Sequence, residues 1–344
     1  MTPTALTLKT MYAYSKSINK ETLIKQAQFM RQEIPIRLAH RVIELEKLPH
    51  KLPKVDQIQE VTELYRSSFS MINSITHPYN IKTCSELSNV LSDIKDRHQE
   101  VQLDIGKGIQ DWVQQYPDVN YNINYFLDKF YMSRIGIRTL IGQYIGVERE
   151  QQGIIRICYP KEIIKSAIKK AEEACQLEYA DNPQVTIHST PNIQEDISFT
   201  YIPSHLFYIT FELLKNSMKA IMEKQNNQTE NNVNDNYPKD IKVYISKGSK
   251  DLIIRITDFG GGFPRDNINK MFSYSYTTTR KPNNINPIQR FELQPILSGL
   301  GYGLPLSRVY CKYFKGDLIL IPYEGIGTDA LIFINRLGDT NESI

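Results

Sequence analysis

The chain reads as a two-domain α+β protein: an N-terminal antiparallel helical bundle followed by an α/β sandwich. Two observations carry this reading. Up to about residue 147 the apolar positions recur at helical spacing with almost no strand signal. After Gly153, short β-rich runs alternate with helical ones, the pattern of helices laid on a mixed sheet.

The elements follow in order. Residues 21–48 form one amphipathic helix, with an interruption expected at Pro35 and a stop before Pro49. Helices over 55–73, 84–97, 106–116 and 121–145 come next, with Pro78 and Pro117 as breaks. Long helices on short links favour a bundle. Residues 154–158 read as a strand, Pro160 opens a helix through Tyr179, and 184–188 and 197–201 are short strands. Pro203-Ser204 caps a helix to about Lys224, and the Asn/Gln-rich stretch 225–236 reads as a polar loop. Strands over 241–246 and 252–257, an irregular segment 280–295 and a helix over 300–314 lead to two closing strands, 317–322 and 328–335. Domain limits are therefore drawn at 20–149 for the bundle and 150–338 for the sandwich, with a flexible start (1–19) and a tail (339–344). The first 20 residues lack acidic groups and carry Lys9, Lys16 and Lys20, which suits a targeting remnant or a polar tail.

Bulk composition narrows the function. Lys+Arg 41 against Asp+Glu 38 leaves a net charge of only +3, so no global field points to nucleic acid or an anionic membrane. No apolar run approaches a membrane span. Cys84, Cys158, Cys175 and Cys311 are far apart and form no CxxC pair, which argues against a disulfide framework or a zinc site and fits a reducing compartment.

The chemistry concentrates in three segments. At 100° per residue, Tyr208, Glu212, Lys215, Asn216, Lys219 and Glu223 share one stripe of a helix whose other side is apolar. Taken alone, the stripe favours a solvated face. Taken as a site, it offers an amide oxygen from Asn216 to Mg²⁺, a Lys219 ammonium to phosphate, and a Glu212 carboxylate that can accept a hydroxyl proton. Asp258 ends an apolar strand and precedes Gly260, Gly261 and Gly262. A buried carboxylate needs donors, and an adenine amine would serve, with glycine letting backbone approach the base. The alternative is a strand-ending turn. Gly299, Gly301 and Gly303 precede a helix, where backbone N–H groups favour a polyphosphate, or else form a hinge. No GxxxxGK[ST] and no GxGxxG occurs. Asp258-Phe-Gly imitates the ordinary protein kinases, but the VAIK lysine and the HRD loop are missing, so that reading is rejected.

The order E-x-x-x-N, D-x-G-x-G, GxGxG and a late Gly-Thr resembles the GHKL ATPase superfamily, whose Bergerat-type fold is the sandwich inferred above. Three further segments narrow the likeness: Phe29-Met-Arg-Gln-Glu-Ile-Pro-Ile-Arg-Leu-Ala-His40, Asn124-Tyr-Phe-Leu-Asp-Lys-Phe-Tyr-Met-Ser-Arg134 and Gly301-Tyr-Gly-Leu-Pro-Leu-Ser-Arg308. With Gly316-Asp-Leu and Gly327-Thr-Asp-Ala330 they resemble the mitochondrial 2-oxo acid dehydrogenase kinases over nearly the whole chain.

That resemblance implies a protein-serine kinase of the mitochondrial matrix. It implies transfer of the ATP γ-phosphoryl to a serine of the decarboxylase α subunit of a pyruvate or branched-chain complex. It implies Glu212 as catalytic base, ATP contacts from Glu212, Asn216 and Lys219, and Mg²⁺ on Asn216. It further implies Asp258, Gly260, Gly262 and Thr328 at the adenine, Thr277 and Thr278 in a lid, and Gly299, Leu300, Gly301, Tyr302, Gly303 and Leu304 around the phosphates. A K⁺ on the carbonyls of Met271, Ser273 and Tyr276, a homodimer, and docking of the helical half to a lipoyl domain complete the implied set.

Departures from the family pattern bear on the subfamily. Tyr208 stands where many pyruvate dehydrogenase kinases have a histidine, and the only tryptophan is Trp112 rather than one in a C-terminal tail. Residues 36–41, 134–138 and 153–185 lean towards the branched-chain kinase, with pyruvate dehydrogenase kinase as the alternative. A reading of another class, a nucleotide-binding subunit that no longer transfers phosphate, rests on Tyr208 and the short tail. A histidine kinase is disfavoured because no H-[ED]-x-x-x-P pattern occurs.

Overall fold

The computed structural model describes the chain except residues 17, 118–121, 190–196, 232–237, 275 and 277–300. It divides into two compact units, Met1–Ile155 with Asn341–Ile344, and Arg156–Thr340.

The first unit is helical: α1 (Leu8–Ala13), α2 (Lys20–Glu46), α3 (Asp56–Asn73), α4 (Ile81–Arg97), α5 (Val101–Gln115) and α6 (Ile123–Glu150). Asn19 and Thr22 form a capping box at α2, as do Asn80 and Thr83 at α4, so both starts satisfy otherwise orphan amides. Helix α2 runs unbroken through Pro35, correcting the expected interruption. Proline costs the helix one hydrogen bond, but the ring is buried, and the packing of Ile34 and Leu38 beside it holds the helix together. Where a flexible start is expected, α1 is capped by Thr7 and buries Leu8 and Met11. The end of the chain joins this unit. Arg37 is held by Glu33 at 2.8 Å and by Glu342 at 2.7 Å, and all three side chains are buried. Glu342 N–H donates to Leu6 O, and Thr7 bridges Asn341. A hollow lies between α3, α4 and α6, lined by Tyr65, Lys95, His98, Arg134, Arg138 and Ile141. Burial and the neighbouring Arg134 and Arg138 push His98 down to about 3, so it is neutral at physiological pH.

The second unit is the expected sandwich. Strands β2 (Val185–Ser189), β4 (Ile241–Lys247), β5 (Asp251–Asp258), β6 (Asp317–Tyr323) and β7 (Gly327–Asn335) form a sheet in the order β2-β4-β5-β7-β6. β2 runs parallel to β4 and the other pairs are antiparallel. β1 (Arg156–Cys158) and β3 (Phe199–Tyr201) form a separate pair. Helices α7 (Pro160–Tyr179), α8 (Pro203–Asn231) and α10 (Gly303–Tyr313) accompany the sheet, α7 and α10 both packing on α8. The period-2 pattern decides which face is covered. One cross-strand row, Ile245, Ile254, Ile332 and Leu318, is buried. The alternate row, His188, Tyr244, Arg255, Leu331 and Ile319, stays partly exposed, with His188 stacked on Tyr244 and Arg255 over the Tyr244 ring.

Helix α8 continues to Asn231, past the expected stop at Lys224. The Gln- and Glu-containing stretch holds no Gly or Pro, so polarity alone was a poor stop signal. Among the described residues α10 begins at Gly303; the expected start at Leu300 lies outside them.

Candidate functional site

Helix α8 carries the centre of the site. Its apolar side buries Leu206, Ile209, Leu213 and Leu214, and this sets the stripe bearing Glu212. Glu212 is only 2% exposed. The solvated-face reading therefore fails at this residue, while Asn216 and Lys219 are half-buried and Glu223 is exposed. The buried carboxylate is paired: Lys215 Nζ lies 2.9 Å from each of its oxygens. The backbone of Gly303 closes the other side. A Cβ on Gly303 would stand 2.2 Å from Glu212 Oε2, so this glycine is a packing requirement. Lys219 leans towards Glu223 at 3.7 Å.

Asp258 is the second buried carboxylate, 7% exposed. Its Oδ1 accepts the Gly260 amide at 3.0 Å and the Thr328 amide at 3.3 Å, and its Oδ2 accepts the Ser217 hydroxyl at 2.9 Å. Burial pushes its pKa up against these three bonds, which stabilise the ion, and nearby Asp329 adds to the rise. Ser217 is one position beyond Asn216, five residues from Glu212. At 1.5 Å rise, Glu212 and Ser217, which holds Asp258, are about 7.5 Å apart along the α8 axis.

The glycines after Asp258 permit this closeness. Gly262 has φ 63° and backs onto the Tyr323 carbonyl, and a Cβ on Gly260 would meet Ala220 of α8 at 2.5 Å. Gly261 N–H donates to Ile326 O, and Gly325 N–H donates to Gly261 O, tying the turn to the β6–β7 hairpin.

Of the phosphate-loop candidates, Gly301 has φ 80° and Tyr302 is buried, with its carbonyl accepting the Leu306 amide at 3.0 Å. Leu304 is half-buried in the first turn of α10. Gly299, Leu300, Thr277 and Thr278 lie outside the described residues. Met271 ends the short α9 (Ile268–Met271), and the Ser273 carbonyl accepts the Tyr276 amide at 3.2 Å. Tyr208 packs on Tyr310 with ring centroids 4.9 Å apart, and Tyr310 meets buried His205 at 4.7 Å. Burial pushes His205 down to about 3.

The structure thus gathers Glu212, Lys215 and Gly303 at one point, and Asp258, Ser217, Gly260 and Thr328 at another. Sequence reading missed Ser217 as a ligand of Asp258 and the Thr257–Asp329 hydrogen bond at 2.5 Å. The position of Ser217 one residue beyond the polar stripe gave no signal. Thr257 and Asp329 become neighbours only through strand register.

Comparison with known proteins agrees with this architecture. Residues 201–337 match the model of histidine kinase-, DNA gyrase B- and HSP90-like ATPases, the class that the sandwich and its paired carboxylates define. Residues 5–173 match that of mitochondrial branched-chain alpha-ketoacid dehydrogenase kinase. Similar curated proteins include the mitochondrial pyruvate dehydrogenase (acetyl-transferring) kinase of Arabidopsis thaliana, 32% identical over 100% of this chain and 93% of that protein. Isozyme 1 of Rattus norvegicus is 35% identical over 92% and 73%, and the Drosophila melanogaster kinase 33% over 98% and 83%. The chain belongs to the mitochondrial 2-oxo acid dehydrogenase kinase family, of GHKL type.

Proposed function

We propose that this chain is an ATP-dependent protein-serine kinase of the mitochondrion that inactivates a 2-oxo acid dehydrogenase complex by phosphorylating its decarboxylase α subunit. The carrying observation is a buried Glu212 one helical stretch from a buried, triply hydrogen-bonded Asp258. Asp258 faces the adenine, with Gly260 and Gly262 letting the turn pack tightly on α8 and the β6–β7 hairpin and the Thr328 amide holding the carboxylate in place. Lys219, Gly301, Tyr302 and the first residues of α10, Gly303 and Leu304, face the phosphates. Asn216 offers Mg²⁺ a hard oxygen. When bound, Mg²⁺ neutralises charge building on the transferred group. Glu212 orients the substrate serine and takes its proton, once Lys215 yields one of the carboxylate oxygens. K⁺ on the carbonyls of Met271, Ser273 and Tyr276 belongs to the same reading.

The relatives named above are pyruvate dehydrogenase kinases, and we take that complex as the first substrate. The branched-chain complex is the second, favoured by the match over residues 5–173 and by segments 36–41 and 134–138. The helical unit serves docking to a lipoyl domain and regulation. The uncovered sheet row Tyr244, Arg255, Leu331 and Ile319 suits a homodimer contact.

Incubating the protein with labelled ATP and each reconstituted complex tests this. Glu212→Gln is expected to retain ADP binding and lose at least 10²-fold in phosphorylation. Full activity of that variant refutes the base assignment, and ATP binding without transfer by the native chain leaves a silent regulatory subunit.

A further inference from the structure

Residues just after α9 grip α10 at two points. Tyr274 and Tyr302 are 3% and 2% exposed, and their rings meet edge to face with centroids 5.0 Å apart at 77°. Two residues before Tyr274, Phe272 lies under the Arg308 guanidinium at 4.5 Å. Arg308 is anchored in turn by Asp317 at 2.9 Å, where β6 begins. The middle of α10 is thus tied to the sheet, and its near end meets the aromatic pair.

What sits at that near end is the closing wall of the Glu212 pocket. Tyr302 immediately precedes Gly303, whose backbone stands so close to Glu212 that a methyl there would lie 2.2 Å from Oε2. Glu212 therefore has two neighbours that fix its direction, the Lys215 ammonium and the Gly303 backbone. Gly301 turns sharply at φ 80° just before, which glycine allows.

We propose that Tyr274 is a positioning residue for phosphoryl transfer: through Tyr302 it holds the Gly303 backbone against Glu212 and so fixes where that carboxylate points. The inference rests on the reading of Glu212 as the base. Misplacing a reacting group by about 1 Å costs about 10²-fold in rate, so a partial loosening costs roughly tenfold. The Asp258 end is not touched by this change, so ADP affinity is expected to fall far less than kcat.

The test compares Tyr274→Leu and Tyr274→Phe in the full chain, with ATP and a phosphorylatable dehydrogenase complex as substrates and calorimetry with Mg-ADP. Tyr274→Leu is expected to lower kcat about tenfold while the Kd for ADP stays within about twofold; Tyr274→Phe keeps the ring edge and restores kcat. Unchanged kcat in Tyr274→Leu overturns the proposal, as does equal loss in Tyr274→Phe, or parallel loss of kcat and ADP affinity. Should Tyr274→Leu fail to fold, Phe272→Leu gives the same split from the second grip, and an unchanged kcat there overturns it likewise. Glu212→Gln run in parallel separates the two readings: an active Glu212→Gln removes the base, whereas an inactive one beside a fully active Tyr274→Leu removes only this inference.

Discussion

Gly303→Ala should be damaging for one identifiable reason, its approach to Glu212. The added Cβ would stand 2.2 Å from Oε2 and 3.2 Å from Cδ, whereas carbon–oxygen contacts settle near about 3.3 Å. Relief requires a movement of about 1 Å in either the carboxylate or the start of α10. Moving the carboxylate, itself almost wholly buried, disturbs its pairing with Lys215. Overpacking of this kind costs about 1–3 kcal/mol of stability. The displacement should lower kcat about 10²-fold, equivalent to about 2.7 kcal/mol of lost transition-state stabilisation. The cause can be isolated with Glu212→Ala, which removes the atoms that the methyl would strike. In that background Gly303→Ala should be neutral or stabilising by about 0.5–1 kcal/mol, as expected for alanine over glycine in a helix. Urea unfolding of the four proteins measures the coupling, because the unpaired Lys215 is common to both Glu212→Ala arms and cancels. Equal destabilisation by Gly303→Ala in both backgrounds would refute the steric argument.

Three further outcomes follow from the geometry. Ser217→Ala leaves Asp258 with two of its three protein donors; a loss of about 1–3 kcal/mol in thermal unfolding is expected, together with weaker ADP binding by calorimetry. His98 and His205 are each held neutral down to about 3, below the unfolded value of 6.5. The unfolded chain therefore binds the extra protons first, so stability is complete above about pH 6.5 and falls below it, by up to about 1.4 kcal/mol per pH unit for each histidine. His205→Phe should flatten that acid limb in urea titrations at several pH values, and an unchanged limb would contradict the burial argument. Glu342→Ala removes one of the two carboxylates on the buried Arg37 guanidinium, which keeps Glu33 and the Thr4 carbonyl, and should cost about 1.5–3 kcal/mol, read as a lower melting temperature.

Much of the architecture was legible because it is written in periodicity. The bundle helices, the α8 stripe and the alternation in β4 and β5 follow from spacing that burial enforces. The three motifs also announced Glu212, Asp258 and Gly303. What spacing could not convey was depth. A polar stripe reads as solvent-facing until another element covers it, and Glu212 is covered by Gly303, about ninety residues on. Ser217 and Asp329 acquire meaning only through neighbours brought by tertiary register. Local polarity misled at the end of α8, and a proline signal misled at Pro35, because tertiary packing outweighs single-residue preference.

The link between Arg37 and Glu342 also has a bearing on biosynthesis. The two residues are 305 positions apart, and Glu342 leaves the ribosome after every residue of the nucleotide-binding unit. At about 5–20 residues per second, Arg37 and Glu33 wait roughly 15–60 s for the carboxylate that completes their cluster. The helical unit, begun first, is therefore completed after the ATP-binding unit, and a nascent chain that has reached only Thr340 would have all of the ATP-binding unit while Arg37 still lacked Glu342.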